Sequence, residues 1–87
     1  MRIISQDGVL DFNYDLISLE VLGKEITAYE INGDNWIIAE YSTEEQAKKE
    51  VKRLHELYQK MIVQREKSGM VHYINLPKVF QFAADEV

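Results

Sequence analysis

The sequence predicts an α+β fold: an antiparallel twisted sheet with one long amphipathic helix packed across one face. Three observations carry this. Residues 16–41 alternate apolar and polar positions between turn signals. Residues 42–67 repeat apolar positions at spacings of four and three. The chain has 87 residues, enough for a single domain spanning 1–87 and too few for a large core.

The elements follow in order. Arg2 to Ser5 is β-prone and is stopped by Gln6-Asp7-Gly8, a turn signal. Val9 to Phe12 reads as a second short strand. In LISLEVL, Ile17, Leu19 and Val21 share one face, with Ser18 and Glu20 on the other. Gly23-Lys24 then forms a two-residue hairpin with Gly first, as a type II′ turn prefers. EITAYEI is the return strand, Asn32-Gly33-Asp34 the next turn and WIIAEY the third strand. Ile17, Leu19, Val21, Ile26, Ile37, Ala39 and Tyr41 are the expected core face.

Ser42 reads as the N-cap of the helix, with Glu45 completing a Ser-x-x-Glu capping box. Glu44 and Glu45 sit at the positive end of the helix dipole. At 100° per residue, Ala47, Val51, Leu54, Tyr58 and Met61 fall within about 80° of one another, as a buried stripe should. Lys49, Arg53, Lys60 and Lys67 lie opposite. A helix of about 24 residues is about 36 Å long, whereas strands of six or seven residues span about 20–23 Å. The helix is therefore expected to overhang its own sheet. Leu57, Tyr58, Met61 and Ile62 are the expected homo-oligomer interface. Beyond Ser68-Gly69, Val71 to Leu76 and Val79 to Ala83 are β-prone, separated by Pro77.

Composition narrows the function classes. The chain has no cysteine, which excludes disulfides and thiolate zinc sites. Its N-terminal residues lack the apolar run of a signal peptide, and no stretch approaches the ~20 apolar residues of a membrane span. A cytoplasmic location is expected, with no membrane partner. Net charge is −5 and uneven. Residues 1–41 hold eight acids and two bases, residues 42–67 five acids and seven bases, and residues 68–87 two acids and one base. An acidic chain disfavours direct nucleic-acid binding, which needs clustered Lys and Arg. An acidic face that mimics a nucleic-acid backbone stays open, as does a local basic pocket for a phosphorylated ligand.

No catalytic or metal motif is present. His55 and His72 are the only histidines and lack metal-ligand spacing. There is no Gly-x-Ser-x-Gly elbow and no phosphate-binding glycine loop. EINGDN lacks the ligand spacing of a calcium loop. The expectation is a non-enzymatic protein with no metal and no cofactor. In VFQF, Phe80 and Phe82 share a strand face. They are core by default and a base-stacking platform in the sharper alternative. The basic helix stripe is a solvated face in the plain reading and a phosphate site in the other.

Three segments also carry a resemblance: Met1-Arg2-Ile3-Ile4-Ser5-Gln6-Asp7-Gly8, then Ile38 to Ala47, and finally Phe80-Gln81-Phe82-Ala83-Ala84-Asp85-Glu86. Together they resemble a group of small accessory proteins of phages and mobile elements from Gram-positive bacteria. Typical members have proline where this chain has Ala83, and many are longer after the helix. The resemblance implies a non-enzymatic phage protein that counters bacterial immunity by binding. The first form of this expectation is an oligomeric sponge for a small nucleotide-derived signal, with Arg2, Trp36, Arg53 and Phe82 as ligand-binding residues. Arginine forks suit phosphates and aromatic rings stack on bases. The alternative is an acidic, anti-CRISPR-like inhibitor that mimics nucleic acid and binds a host immune protein. It draws on Asp7, Asp11, Asp15, Glu20, Glu25, Glu30, Asp34 and Glu40.

Overall fold

The structure, a computed structural model, describes residues 1–68 and 79–85, with side chains described for residues 1–60 and 79–85. Its elements are β1 (Arg2–Ile4), β2 (Asp11–Asn13), a 3-10 turn (Tyr14–Leu16), β3 (Ile17–Leu22), β4 (Glu25–Glu30), β5 (Asn35–Glu40), α1 (Glu44–Ser68) and β6 (Val79–Gln81). They build a small α+β fold in which α1 packs on sheet. The strand expected over 71–76, Pro77 and His72 lie outside the described residues.

The expected meander is present. β3, β4 and β5 form an antiparallel sheet in chain order. Gly23 has φ +60, and among the described residues no non-glycine has positive φ, so Lys24 does not, the pattern a type II′ turn requires. At the second hairpin Gly33 has φ +93, and the Asn32 side chain accepts a bond from the Asp34 amide at 3.0 Å.

The remaining strands do not extend this sheet. They form a second one, β2-β1-β6, in which β1 pairs with β2 antiparallel and with β6 in parallel. A parallel partner needs a long crossover, and β2, the meander and α1 all lie in the chain between β1 and β6. Short β-prone runs at the two chain ends contain no signal for which sheet they join. β2 also starts two residues later than expected, because Val9 and Leu10 serve a loop closed around Ser5. In it the Ser5 amide donates to the Leu10 carbonyl at 2.9 Å and the Leu10 amide to Ser5 Oγ at 2.9 Å.

Two local expectations are corrected. The helix begins one residue later than the Ser42 cap implies. Thr43 Oγ1 accepts from the Gln46 amide at 3.1 Å, while Ser42 Oγ donates to Asp85 at 3.3 Å. The sequence holds two overlapping boxes, Ser42-x-x-Glu45 and Thr43-x-x-Gln46, and contact with Asp85 draws Ser42 away. The second correction is in β5. Thr27 pairs with Ile37 and Ile26 with Ala39, which leaves Ile38 as the extra residue of a β-bulge. The bulge puts Ile38 and Ala39 together in the core, at 2% and 3% exposure, and turns Ile37 out to 58%.

The core joins all three parts: Ile3, Phe80 and Phe82 near the second sheet, Ile26, Ala28, Ile38, Ala39 and Tyr41 of the meander side, and Ala47 and Leu54 of α1. Val51, Leu57, Ile17, Leu19 and Val21 pack partly buried against it. Gln6 fastens one sheet to the other. Its amide donates to the Ile38 carbonyl at 2.8 Å, and its Oε1 accepts from the Glu40 amide at 2.9 Å. The bulge is thus held from the second sheet.

Candidate functional site

The residues expected to bind a phosphorylated ligand are engaged within the chain or set apart. Arg2 pairs with Asp11 on the neighbouring strand. Arg53 does not lie on a free basic stripe. It donates from Nε and Nη2 to Glu50 at 3.2 and 3.0 Å and from Nη2 to the Gln81 carbonyl at 3.2 Å, and it stacks 4.3 Å from the Phe80 ring centroid. Phe82 is buried and meets Phe80 edge-to-face at 5.1 Å. The two phenyl rings are core, with no free face for a base. Trp36 is partly exposed on β5, in the other sheet.

A polar junction accounts for these placements. Glu50 is only 5% exposed, and besides Arg53 it accepts from the Ala83 amide at 3.1 Å. The Ala83 carbonyl accepts from Tyr41 Oη at 2.8 Å and from Gln6 Nε2 at 3.1 Å. Burial alone would raise the Glu50 carboxyl, but the Arg53 guanidinium and the Ala83 amide outweigh it and hold the pKa below its ordinary value. Burial, with the Glu50 carboxylate nearby, pushes the Tyr41 phenol well up. Among the described residues no buried side-chain polar atom lacks a partner. Every polar group here is spent on holding the C-terminal segment to β1 and α1, which is a structural role. The signal for Glu50 was legible. At 100° per residue it falls about 60° from Ala47, on the margin of the apolar stripe and three residues before an arginine.

The helix residues expected at an oligomer interface divide. Leu57 packs partly buried against the core. Tyr58 sits 4.4 Å from the Tyr14 ring and donates to Asp15 at 3.1 Å. The 3-10 turn before β3 therefore covers the helix where the meander ends. The side chains of Met61 and Ile62 lie outside the described residues.

The acids of the alternative reading also sort by place. Asp7 accepts from the Ser5 hydroxyl and the Val9 amide, which lower its pKa. Asp11, Asp15 and Asp34 are bonded to Arg2, Tyr58 and Asn32. Glu30 stands in register with Ile17, on the helix side of the sheet. Glu20, Glu25 and Glu40 all fall on the meander face that points away from α1. Its rows are Ser18–Tyr29–Asn35, Glu20–Thr27–Ile37 and Leu22–Glu25–Glu40. These rows hold three carboxylates and no lysine or arginine. Glu25 and Glu40 are direct neighbours, about 5 Å apart at Cα, and Glu20 lies diagonally about 7–8 Å from Glu25. Tyr29 hydrogen-bonds to Glu20, which raises the Tyr29 pKa. Leu22 and Ile37 supply exposed apolar surface on the same face.

Three shallow grooves are formed by described residues. One of about 450 Å³ has Phe12, Leu16, Ile17 and Ile31 beside Asp11 and Glu30. A smaller one of about 180 Å³ adjoins it at Leu16, Ile17, Glu30 and Ile31. The third, about 440 Å³, runs between β3 and α1 and is lined by Val21, Lys48, Val51, Lys52, His55, Glu56 and Gln59. None of Arg2, Trp36, Arg53 and Phe82 lines any of the three. Among the described residues there is no cluster of His, Asp and Glu suited to a metal, and no helix long and apolar enough to cross a membrane. No family model, curated protein or solved structure matches the chain.

Proposed function

We propose that this is a non-catalytic binding protein that engages a basic, nucleic-acid-binding surface of a protein partner through the outer face of its meander. The observation that supports this reading is the alignment of Glu20, Glu25 and Glu40 on one sheet face with no cation in the same rows. A rigid sheet holds these charges at spacings of about 5–8 Å, where they act together on an approaching basic groove. Leu22, Tyr29 and Ile37 add apolar contact area between them. This reading is preferred to capture of a nucleotide-derived signal, because Arg2, Arg53 and Phe82 already have partners within the chain. The resemblance to phage accessory proteins points to a bacterial immune effector as the partner.

Affinity capture from a Gram-positive bacterial lysate tests it. The bait is the wild type beside a Glu20→Gln/Glu25→Gln/Glu40→Gln variant. The expected result is a nucleic-acid-binding protein retained by the wild type, released by competing duplex DNA and not retained by the variant. Equal retention by both baits refutes the proposal.

A further inference from the structure

The open edge of the meander has a backbone that is ready to pair. Lys24 and Glu30 spend backbone groups on the β5 side, through the Tyr41 amide at 2.9 Å and the Asp34 carbonyl at 2.8 Å. Backbone direction alternates along a strand, so Glu25, Thr27 and Tyr29 bond toward β3. Their register partners there are Leu22, Glu20 and Ser18. The amides and carbonyls of Ile17, Leu19 and Val21 therefore point outward, and among the described residues nothing bonds to them. β3 has no proline, no lysine and no bulge against β4, so it carries few of the features that usually blunt an edge.

The side chains on the two faces of this edge select what can pair with it. Those of Ile17, Leu19 and Val21 point to the helix side, where Val21 and Val51 are the apolar residues of the groove between β3 and α1, with Lys48, Lys52, His55, Glu56 and Gln59 as its helix-side rim. On the other side stands Glu20, exposed and without an ion pair among the described residues. We infer that the β3 edge takes an extended, antiparallel strand of a partner protein in which aliphatic residues alternate with lysine or arginine. The aliphatic side chains enter the groove over Val21 and Val51, and the basic ones meet Glu20 on the outer face. Main-chain bonds to Ile17, Leu19 and Val21 fix the register. The sign of the charge rests on the proposed function; the strand geometry rests on the backbone alone.

A capped peptide of about six residues alternating lysine and valine, a usual strand length, is the probe. Amide exchange and chemical shifts are followed by NMR. The expected result is exchange at Ile17, Leu19 and Val21 slowed at least about tenfold at saturating peptide, a factor that corresponds to about 1.4 kcal/mol. The same peptide N-methylated at its valines should give no protection, since those amides face the edge. Equal shifts from both peptides overturn strand pairing while leaving the acidic-face proposal intact. Equal protection by a glutamate–valine peptide overturns the basic partner and with it the proposed function, while the edge still pairs. No protection at millimolar peptide overturns the inference. So does protection that grows with protein concentration alone, which assigns the edge to a second copy.

Discussion

Replacing Glu50 should loosen the C-terminal segment from the helix. The carboxylate takes two bonds from Arg53 and one from the Ala83 amide at 3.0–3.2 Å, at 5% exposure. A hydrogen bond to a charged group contributes about 1.5–3 kcal/mol. Arg53 has a half-exposed side chain, so its freed donors return partly to water and its share is discounted. Glu50→Ala should therefore cost about 2–3 kcal/mol. In a domain of this size that lowers Tm by about 8–24 °C. Glu50→Gln keeps the shape and one acceptor and should cost about 1–2 kcal/mol. The pH dependence separates charge from packing. The folded pKa of Glu50 lies below its ordinary value of 4.5. Its contribution is thus fully present above pH 4.5 and is lost as pH falls through the folded value. Urea unfolding of wild type and Glu50→Gln between pH 7 and pH 3 reads this directly. A stability gap that is unchanged over that range, or a Tm for Glu50→Ala within about 2 °C of wild type, would refute the reasoning.

Further outcomes follow from the packing. Ile38→Ala should cost about 2–4 kcal/mol, because it empties a buried site, whereas Ile37→Ala should cost less than about 1 kcal/mol; chemical denaturation that ranks them the other way contradicts the bulge. Thr43→Ala should remove about 1 kcal/mol of helix capping, and Ser42→Ala less than about 0.5 kcal/mol at an exposed contact, again read by denaturation midpoints. Gly33→Ala strains a φ of +93 and should lower stability by about 1 kcal/mol, measured by thermal unfolding.

How far the sequence could be read depended on whether a pattern had one solution. LISLEVL alternates cleanly, and Gly23-Lys24 fits only a tight hairpin, so β3 and β4 were legible almost to the residue. WIIA is four apolar residues in a row, and alternation could not say which of Ile37 and Ile38 faces the core. The bulge decides that, and it depends on Gln6, more than thirty positions away. Likewise the parallel pairing of β6 with β1 is a long-range contact that no local spacing encodes. Three segments far apart in sequence meet at this junction, where Gln6 bonds to Ile38 and Ala83, Tyr41 to Ala83 and Ser42 to Asp85. The basic stripe was read by helical angle alone, which missed that Glu50 and the C-terminal strand claim Arg53. The acidic face was visible only as charge excess until the register brought Glu20, Glu25 and Glu40 together.

The most direct measurement is the association rate of the captured partner with the immobilised protein as salt rises. Between about 50 and 300 mM salt the wild-type rate should fall at least about tenfold, as steering between opposed charged faces requires. The Glu20→Gln/Glu25→Gln/Glu40→Gln variant should start lower and stay nearly flat. A wild-type rate indifferent to salt, or one matched by the variant throughout, would contradict binding through the acidic sheet face.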